Sequence, residues 1–289
     1  ALIRAAGKGH TETVKRLLAE GADVNARNKY GKTALIRAAG EGHTETVKLL
    51  LANGADVNVT SKSGMTALMF AASGHTETVK LLLEYGADVS ATDKDGRTAL
   101  MKAALRDRTE TVKLLLAEGA DVNARNEYGM TALMLVAVNG HTETVKLLLE
   151  NGADVNAIHK WGRTALMYAA EEGHTETVKL LLENGADVNA THKWGGTALI
   201  RAAERGRTET VKFLLANGAD VNAKDENGRT AWMVAVSNGR TETVKLLLAH
   251  GASVNWIDDD GRTALSIAEY YGHTKIVKLL KSYGAWRIL

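Results

Sequence analysis

Apolar positions along the chain fall into pairs of short helical runs that recur in register. Within residues 31–58, Leu35, Ala38 and Ala39 put a narrow small-residue face on a first run. Val47, Leu50 and Leu51, at i, i+3 and i+4, make one core-facing stripe on a second. Thr33 stands before the first run and Thr44 before the second, each placed to cap backbone donors. Gly42 closes the first run, and Gly54 gives the second a left-handed stop. Ala55-Asp-Val-Asn58 then leads into a polar stretch ending at Gly64, before Thr66 starts the pattern again. The predicted unit is helix, turn, helix, projecting hairpin.

The Thr of Gly-x-Thr-Ala recurs at Thr33, Thr66, Thr98, Thr131, Thr164, Thr197, Thr230 and Thr263, 33 residues apart except for one interval of 32. A period of that length implies a stacked array, because one unit cannot bury both sides of its helix pair alone. Gly-x-Thr-Ala-Leu, Ala-Ala-x-x-Gly-His, Val-Lys-Leu-Leu-Leu and Gly-Ala-Asp-Val-Asn-Ala together resemble the ankyrin repeat over essentially residues 1–289. The resemblance implies an all-α repeat solenoid of about nine helix-turn-helix units with projecting β-hairpins. Two departures are systematic. The family's Thr-Pro-Leu-His is here Thr-Ala-Leu-Ile or Thr-Ala-Leu-Met, and the chain has no proline. Ala keeps the helix start favourable, but without the His each Thr is left to cap alone.

No linker or composition shift interrupts residues 27–256, so one domain over 1–289 is expected. It comprises a first copy over 1–26 that lacks its hairpin, internal copies over 27–256, and a C-terminal capping copy over 257–289. In the first copy Leu2, Leu17 and Leu18 are expected to face water unless something upstream covers them. Lys275 and Lys281 suit a last helix meeting solvent, and Trp286 is expected to fold back over it. The second helix repeats almost letter for letter as Thr-Glu-Thr-Val-Lys. Recent duplication and consensus design, as in engineered ankyrin-repeat binders, would both produce such copies; the missing proline leans towards design.

Composition adds mostly exclusions. Net charge is +2 with a pI of 8.6, and no apolar run approaches the roughly 18 residues of a membrane helix, so neither a strong nucleic-acid footprint nor a membrane span is indicated. The absence of cysteine excludes disulfides, zinc-thiolate sites and thiol nucleophiles. No Gly-rich phosphate loop and no insert large enough for a pocket interrupts the repeat, so neither catalysis nor a cofactor is expected.

Function is therefore sought where the copies differ, at the hairpin tips and the outward face of the first helix, which the resemblance implies to be the concave partner-binding side. Tyr30, Tyr128, Trp161 and Trp194 are tip aromatics, which either shield their own hairpins or stand as exposed anchors of the kind that dominate interfaces; a solvated tip offers an indole little to bury against, which favours the anchor. His159, Lys160, His192 and Lys193 stand beside the two tryptophans; the two histidines lack the carboxylate or thiolate support a metal site would need. Met130 follows the tip glycine. Phe70, Leu105, Arg106, Leu135, Val138 and Tyr168 mark the first-helix face, with Phe70, Leu105, Leu135 and Val138 forming an apolar patch unless the short third copy draws Phe70 inward. Lys32, Arg97, Arg163, Arg229 and Arg262 recur just after the tip glycine and could line the groove; the arginines would suit an acidic patch on a partner better than nucleic acid, since aspartates lie in the same band. Trp232, in place of a core Leu, reads as overpacking, and Trp256 replaces a hairpin Ala.

The expected function is recognition of a folded protein by a monomeric array, cytoplasmic if natural. The competing readings are a ligand-free spacer of designed origin and a fragment of a natural intracellular or bacterial effector. The resemblance also implies that the hairpin Asn, as at Asn25 and Asn58, can be a β-hydroxylation substrate, with holding the hairpin as its main role.

Overall fold

The computed structural model describes residues 1–255 and 257–285; the expectations for Trp256 and Trp286 lie outside the described residues. Eighteen helices alternate in pairs. First helices are short, from five residues at Leu2–Ala6 and Ala67–Ala71 to eight at Ala165–Glu172 and Ala198–Arg205. Every second helix, such as Thr44–Ala52, has nine. Two compact units divide the chain, Ala1–Leu135 with Lys146–Ala153, and Val136–Val145 with Asp154–Leu289.

Within each unit the small faces stack. Leu35, Ala38 and Ala39 are buried, as are Val47, Leu50 and Leu51. Thr33 accepts the Ile36 amide at 3.3 Å, and Thr66, Thr98, Thr131, Thr164 and Thr197 cap their first helices likewise, so in these six copies a lone threonine suffices without the histidine; Thr263 caps in a reciprocal box with Ser266. Leu2 is buried, and Leu17 and Leu18 are half-buried rather than open to water.

Two local expectations need correcting. Thr44 is not a cap: His43 occupies that position without a side-chain bond, and the Thr44 hydroxyl meets Thr78 of the next copy at 2.8 Å. The same pairing joins Thr11 to Thr46, Thr76 to Thr111, Thr142 to Thr177, Thr175 to Thr210 and Thr208 to Thr243. The inner member of each pair is buried, and a buried hydroxyl without a partner would cost about 1–3 kcal/mol. The second threonine of Thr-Glu-Thr is therefore a joint between copies. At the last copy the joint ends, because buried Ile276 stands at that position.

Second, the projecting hairpins are tight turns. Among the described residues they carry only the isolated bridges Lys224 to Thr230 and Ile257 to Thr263. In the tip at Asn28–Lys32 the Gly31 amide closes on Asn28 O at 2.8 Å, with Gly31 at φ 73°.

Trp232 is wholly buried, and its Nε1 has no partner among the described residues. Thr230, two residues earlier, has neither its cap bond nor any other side-chain partner there. The indole fills the site at the expense of two polar groups. Trp232→Leu, the residue of the other copies, is expected to raise stability by about 1 kcal/mol as the cap reforms and the orphaned donor disappears. Urea unfolding checks this, and a loss instead would show that the indole's packing outweighs both polar defects.

Candidate functional site

One position in every tip accepts hydrogen bonds from the turn that follows it. Asn28 Oδ1 accepts the Tyr30 and Lys32 amides at 2.8 and 3.1 Å, and Asn126 accepts those of Tyr128 and Met130. Ser61 accepts the Met65 amide. Asp93, Asp225 and Asp258 each accept two amides in the same way. In the sixth and seventh tips, those of the sixth and seventh copies, the acceptor is an imidazole: His159 Nδ1 takes the Arg163 amide and His192 Nδ1 the Trp194 amide, both at 3.0 Å. These histidines are 5% exposed and face inward, so they support the tips instead of offering surface to a partner. The role was visible only in the column of Asn, Ser, Asp and His, all acceptors.

In the second unit the imidazoles hold the tip indoles. His159 meets Trp161 edge-on at 5.1 Å between ring centroids, and His192 meets Trp194 at 5.6 Å. The Lys193 amide donates to Trp161 O at 2.8 Å, tying the two tips. Trp161 remains 44% exposed and Trp194 40%, with Lys160 and Lys193 exposed beside them. On the floor, Tyr168 is half-buried with the Arg163 guanidinium 4.2 Å from its ring centre and His159 edge-on at 5.8 Å. Burial pushes the Tyr168 phenol up. Glu171 is bonded by Arg163 and, at 3.1 Å, by Arg205 of the next copy. Burial alone would raise the Glu171 carboxyl, but the Arg163 charge and the two arginine hydrogen bonds hold it below its usual range.

Beside Trp194 a polar cavity of about 260 Å³ is bounded by His192, Arg201, Glu204, Asp225 and Arg229. Arg201 reaches Glu204 at 2.9 Å and His192 Nε2 at 2.7 Å, and its Nε is buried without a partner among the described residues. A neutral imidazole has one acceptor nitrogen, so His192 can satisfy the Trp194 amide or Arg201, not both. Burial, then the charges of Arg201 and Arg163, push the His192 ring down to about 4; burial and Arg163 also lower His159. Arg201 and Glu204 do not stand out in the sequence, because the same letters occupy their places in other copies as Arg37 and Glu171.

The groove arginines are held by their own units. Arg97 pairs with Asp93 at 3.0 Å and with Asp95, Arg229 with Asp225 at 2.7 Å, and Arg262 with Asp258 at 2.9 Å and Asp260 at 2.6 Å. Arg163 has Glu171. Their charge is matched internally, which removes the reason for an acidic partner at these four positions.

In the first unit Tyr30 and Tyr128 are exposed at their tips. Phe70 is half-buried: its Cβ lies over Gly40, where an added Cβ would sit 3.4 Å away, and Lys32 Nζ stands 4.3 Å from the ring centre. Leu105 is 40% exposed and Arg106 is exposed, while Met130 and Leu135 are half-buried. Val138, in the second unit, is half-buried. The expected apolar patch is thus partly covered at Phe70, by a lysine and a glycine of the preceding copy.

The remaining repeated polar residues join copies. His174 Nε2 lies 3.1 Å from Val138 O and His273 Nε2 3.1 Å from Ser237 O. Where Arg replaces this His, Arg108, Arg207 and Arg240 Nε donate to the equivalent carbonyls of Ser73, Glu171 and Glu204. Asn25 Nδ2 donates to Gly54 O at 3.2 Å and its Oδ1 accepts the Asp56 amide, so it ties its copy to the next rather than closing its own hairpin; Asn58, Asn156 and Asn189 repeat this. Among the described residues, no three of His, Asp and Glu are placed to hold a metal, and no helix is long and apolar enough to cross a membrane.

A comparison with curated proteins finds no match to this chain. The family profile described as "Ankyrin repeats (3 copies)" matches residues 2–93, 89–159, 156–225 and 223–286. These four matches together cover nearly the whole chain, whose helices alternate in pairs as a helix-turn-helix array requires, and the chain belongs to the ankyrin-repeat family.

Proposed function

We propose that the chain is a non-catalytic module that recognises a folded protein, with Trp161 and Trp194 as anchors and Tyr168 in the floor between tip and helix. Ankyrin repeats are in general protein-protein interaction modules. The observation that carries the finer reading is the pair of indoles on adjacent, hydrogen-bonded tips, each held by a buried histidine yet 44% and 40% exposed. A rigid aromatic already fixed in place loses little conformational entropy on docking. A tip that needed the indole only to shield itself would cover more of it.

Replacing Trp161 and Trp194 together with Ala is expected to weaken a partner captured from lysate by about 2 kcal/mol or more. Folding should lose the two edge-on contacts, about 1–2 kcal/mol together, and the burial of the covered part of each indole. Titration calorimetry on the captured partner and thermal unfolding separate the two effects. Unchanged affinity would remove the anchors, and capture of nothing by the wild-type chain would favour a ligand-free spacer.

A further inference from the structure

The charge in this chain is unevenly placed. In the fourth, eighth and ninth tips each arginine after the turn glycine is matched by aspartates of its own tip. The second and third tips carry no such acid: they read Arg27-Asn-Lys-Tyr30 and Thr60-Ser-Lys-Ser63. These tips and the first helices Leu2–Ala6 and Ala34–Gly40 enclose a cleft of about 900 Å³, wholly within the first unit.

Arg4, Lys8, Lys32, Arg37 and Lys62 line that cleft, with exposed Tyr30 at its rim, and no Asp or Glu is among the described residues lining it. Gly7 leaves the room for Arg37 to lie across the neighbouring copy: a Cβ there would meet Arg37 Nε at 3.2 Å. The nearest compensation is Glu41, 3.6 Å from Arg37, in a solvent-exposed pair. Exposed pairs of that kind contribute little. Five cations around one concavity raise the local concentration of anions and speed their capture.

We propose that this cleft binds an acidic peptide segment of a protein partner, carboxylates meeting the cations and apolar side chains lying on Ile3, the Tyr30 ring and the arginine and lysine stems. The inference rests on the protein-binding reading but uses different residues from the tryptophan anchors. Nucleic acid fits less well. A single strand stacks successive bases on successive rings. Here the tip next to Tyr30 offers Ser61, Lys62 and Ser63, and the Phe70 ring already lies beneath Lys32.

The test is fluorescence anisotropy with a labelled peptide of alternating Glu and Leu, its Gln and Leu counterpart, and a labelled single-stranded oligonucleotide, each at low and physiological salt. The acidic peptide should bind the wild-type chain, weaken with salt, and bind the Lys32→Glu/Arg37→Glu/Lys62→Glu variant at least about tenfold more weakly. The Lys32→Gln/Arg37→Gln/Lys62→Gln variant, which adds no new charge, should fall between. Trp161→Ala/Trp194→Ala should bind the peptide as the wild type does, so failure of the tryptophan anchors and failure of this cleft are read separately. The proposal is overturned if the Gln peptide binds equally, if charge reversal changes nothing, if the tryptophan variant loses the peptide, or if the oligonucleotide binds more tightly.

Discussion

Asp93→Ala is expected to destabilise the chain by about 3–5 kcal/mol, the range for breaking a buried ion pair by removing one partner. Asp93 is 6% exposed. Its carboxylate accepts the Asp95 and Arg97 amides and meets Arg97 Nε at 3.0 Å and Lys102 Nζ at 2.8 Å. Alanine would strand two backbone donors and an ammonium on a side chain only 12% exposed. Asp93→Asn keeps the turn acceptor, as Asn126 does in the next tip, but loses the charge, so it should cost roughly half as much. Urea midpoints at constant slope measure both. A loss below about 1 kcal/mol for the alanine would mean that water replaces the carboxylate at Lys102.

Acid should destabilise the second unit before it touches this carboxylate. The buried His192 ring goes from 6.5 to about 4 on folding because burial and then the Arg201 and Arg163 charges disfavour its cation, against the opposing pull of Asp225. A histidine whose ring is lowered in the folded state contributes stability that is full above its unfolded value and is lost as pH falls from there towards its folded value. Protonation also removes the acceptor from the Trp194 amide. A loss of about 1–2 kcal/mol is expected between neutral pH and about pH 5, with His159 adding in the same direction. Asp93 behaves differently. Burial alone would raise its carboxyl, but hydrogen bonds from Lys102 and Arg97 hold it below the usual range, so its contribution persists until pH falls through that range. His192→Asn supplies the same acceptor without titrating, and should flatten stability across the upper window while leaving the lower one. An equal slope in both proteins would show that His192 does not govern acid sensitivity.

Much of the repeat was legible because its causes are local. A small-residue face at Leu35, Ala38 and Ala39, a cap at Thr33 and left-handed glycines at Gly42 and Gly54 each act within a few residues of themselves. Thr44 was misassigned for the opposite reason: its partner, Thr78, is one copy away, and the same residue type serves as a cap or as a joint. His159 and His192 were taken for surface because they adjoin tryptophans, yet the turn that buries them is set by amides two and four residues on. The sequence puts the arginines after the tip glycines in one band with aspartates, but only folding pairs Arg97, Arg229 and Arg262 each with the aspartate four residues earlier.

The sequence by itself determined the unit, its period, its stacking and the family, since those follow from helix periodicity, capping and the need of each pair to bury its faces against a neighbour. The tertiary structure alone decided which polar side chains still have something to offer. Whether a cation is matched or open, as Arg97 is matched by Asp93 and Lys62 is not matched by any lining acid, depends on distances of a few ångströms between copies. Spacing along the chain places those residues in a band; only packing sets which of them meet.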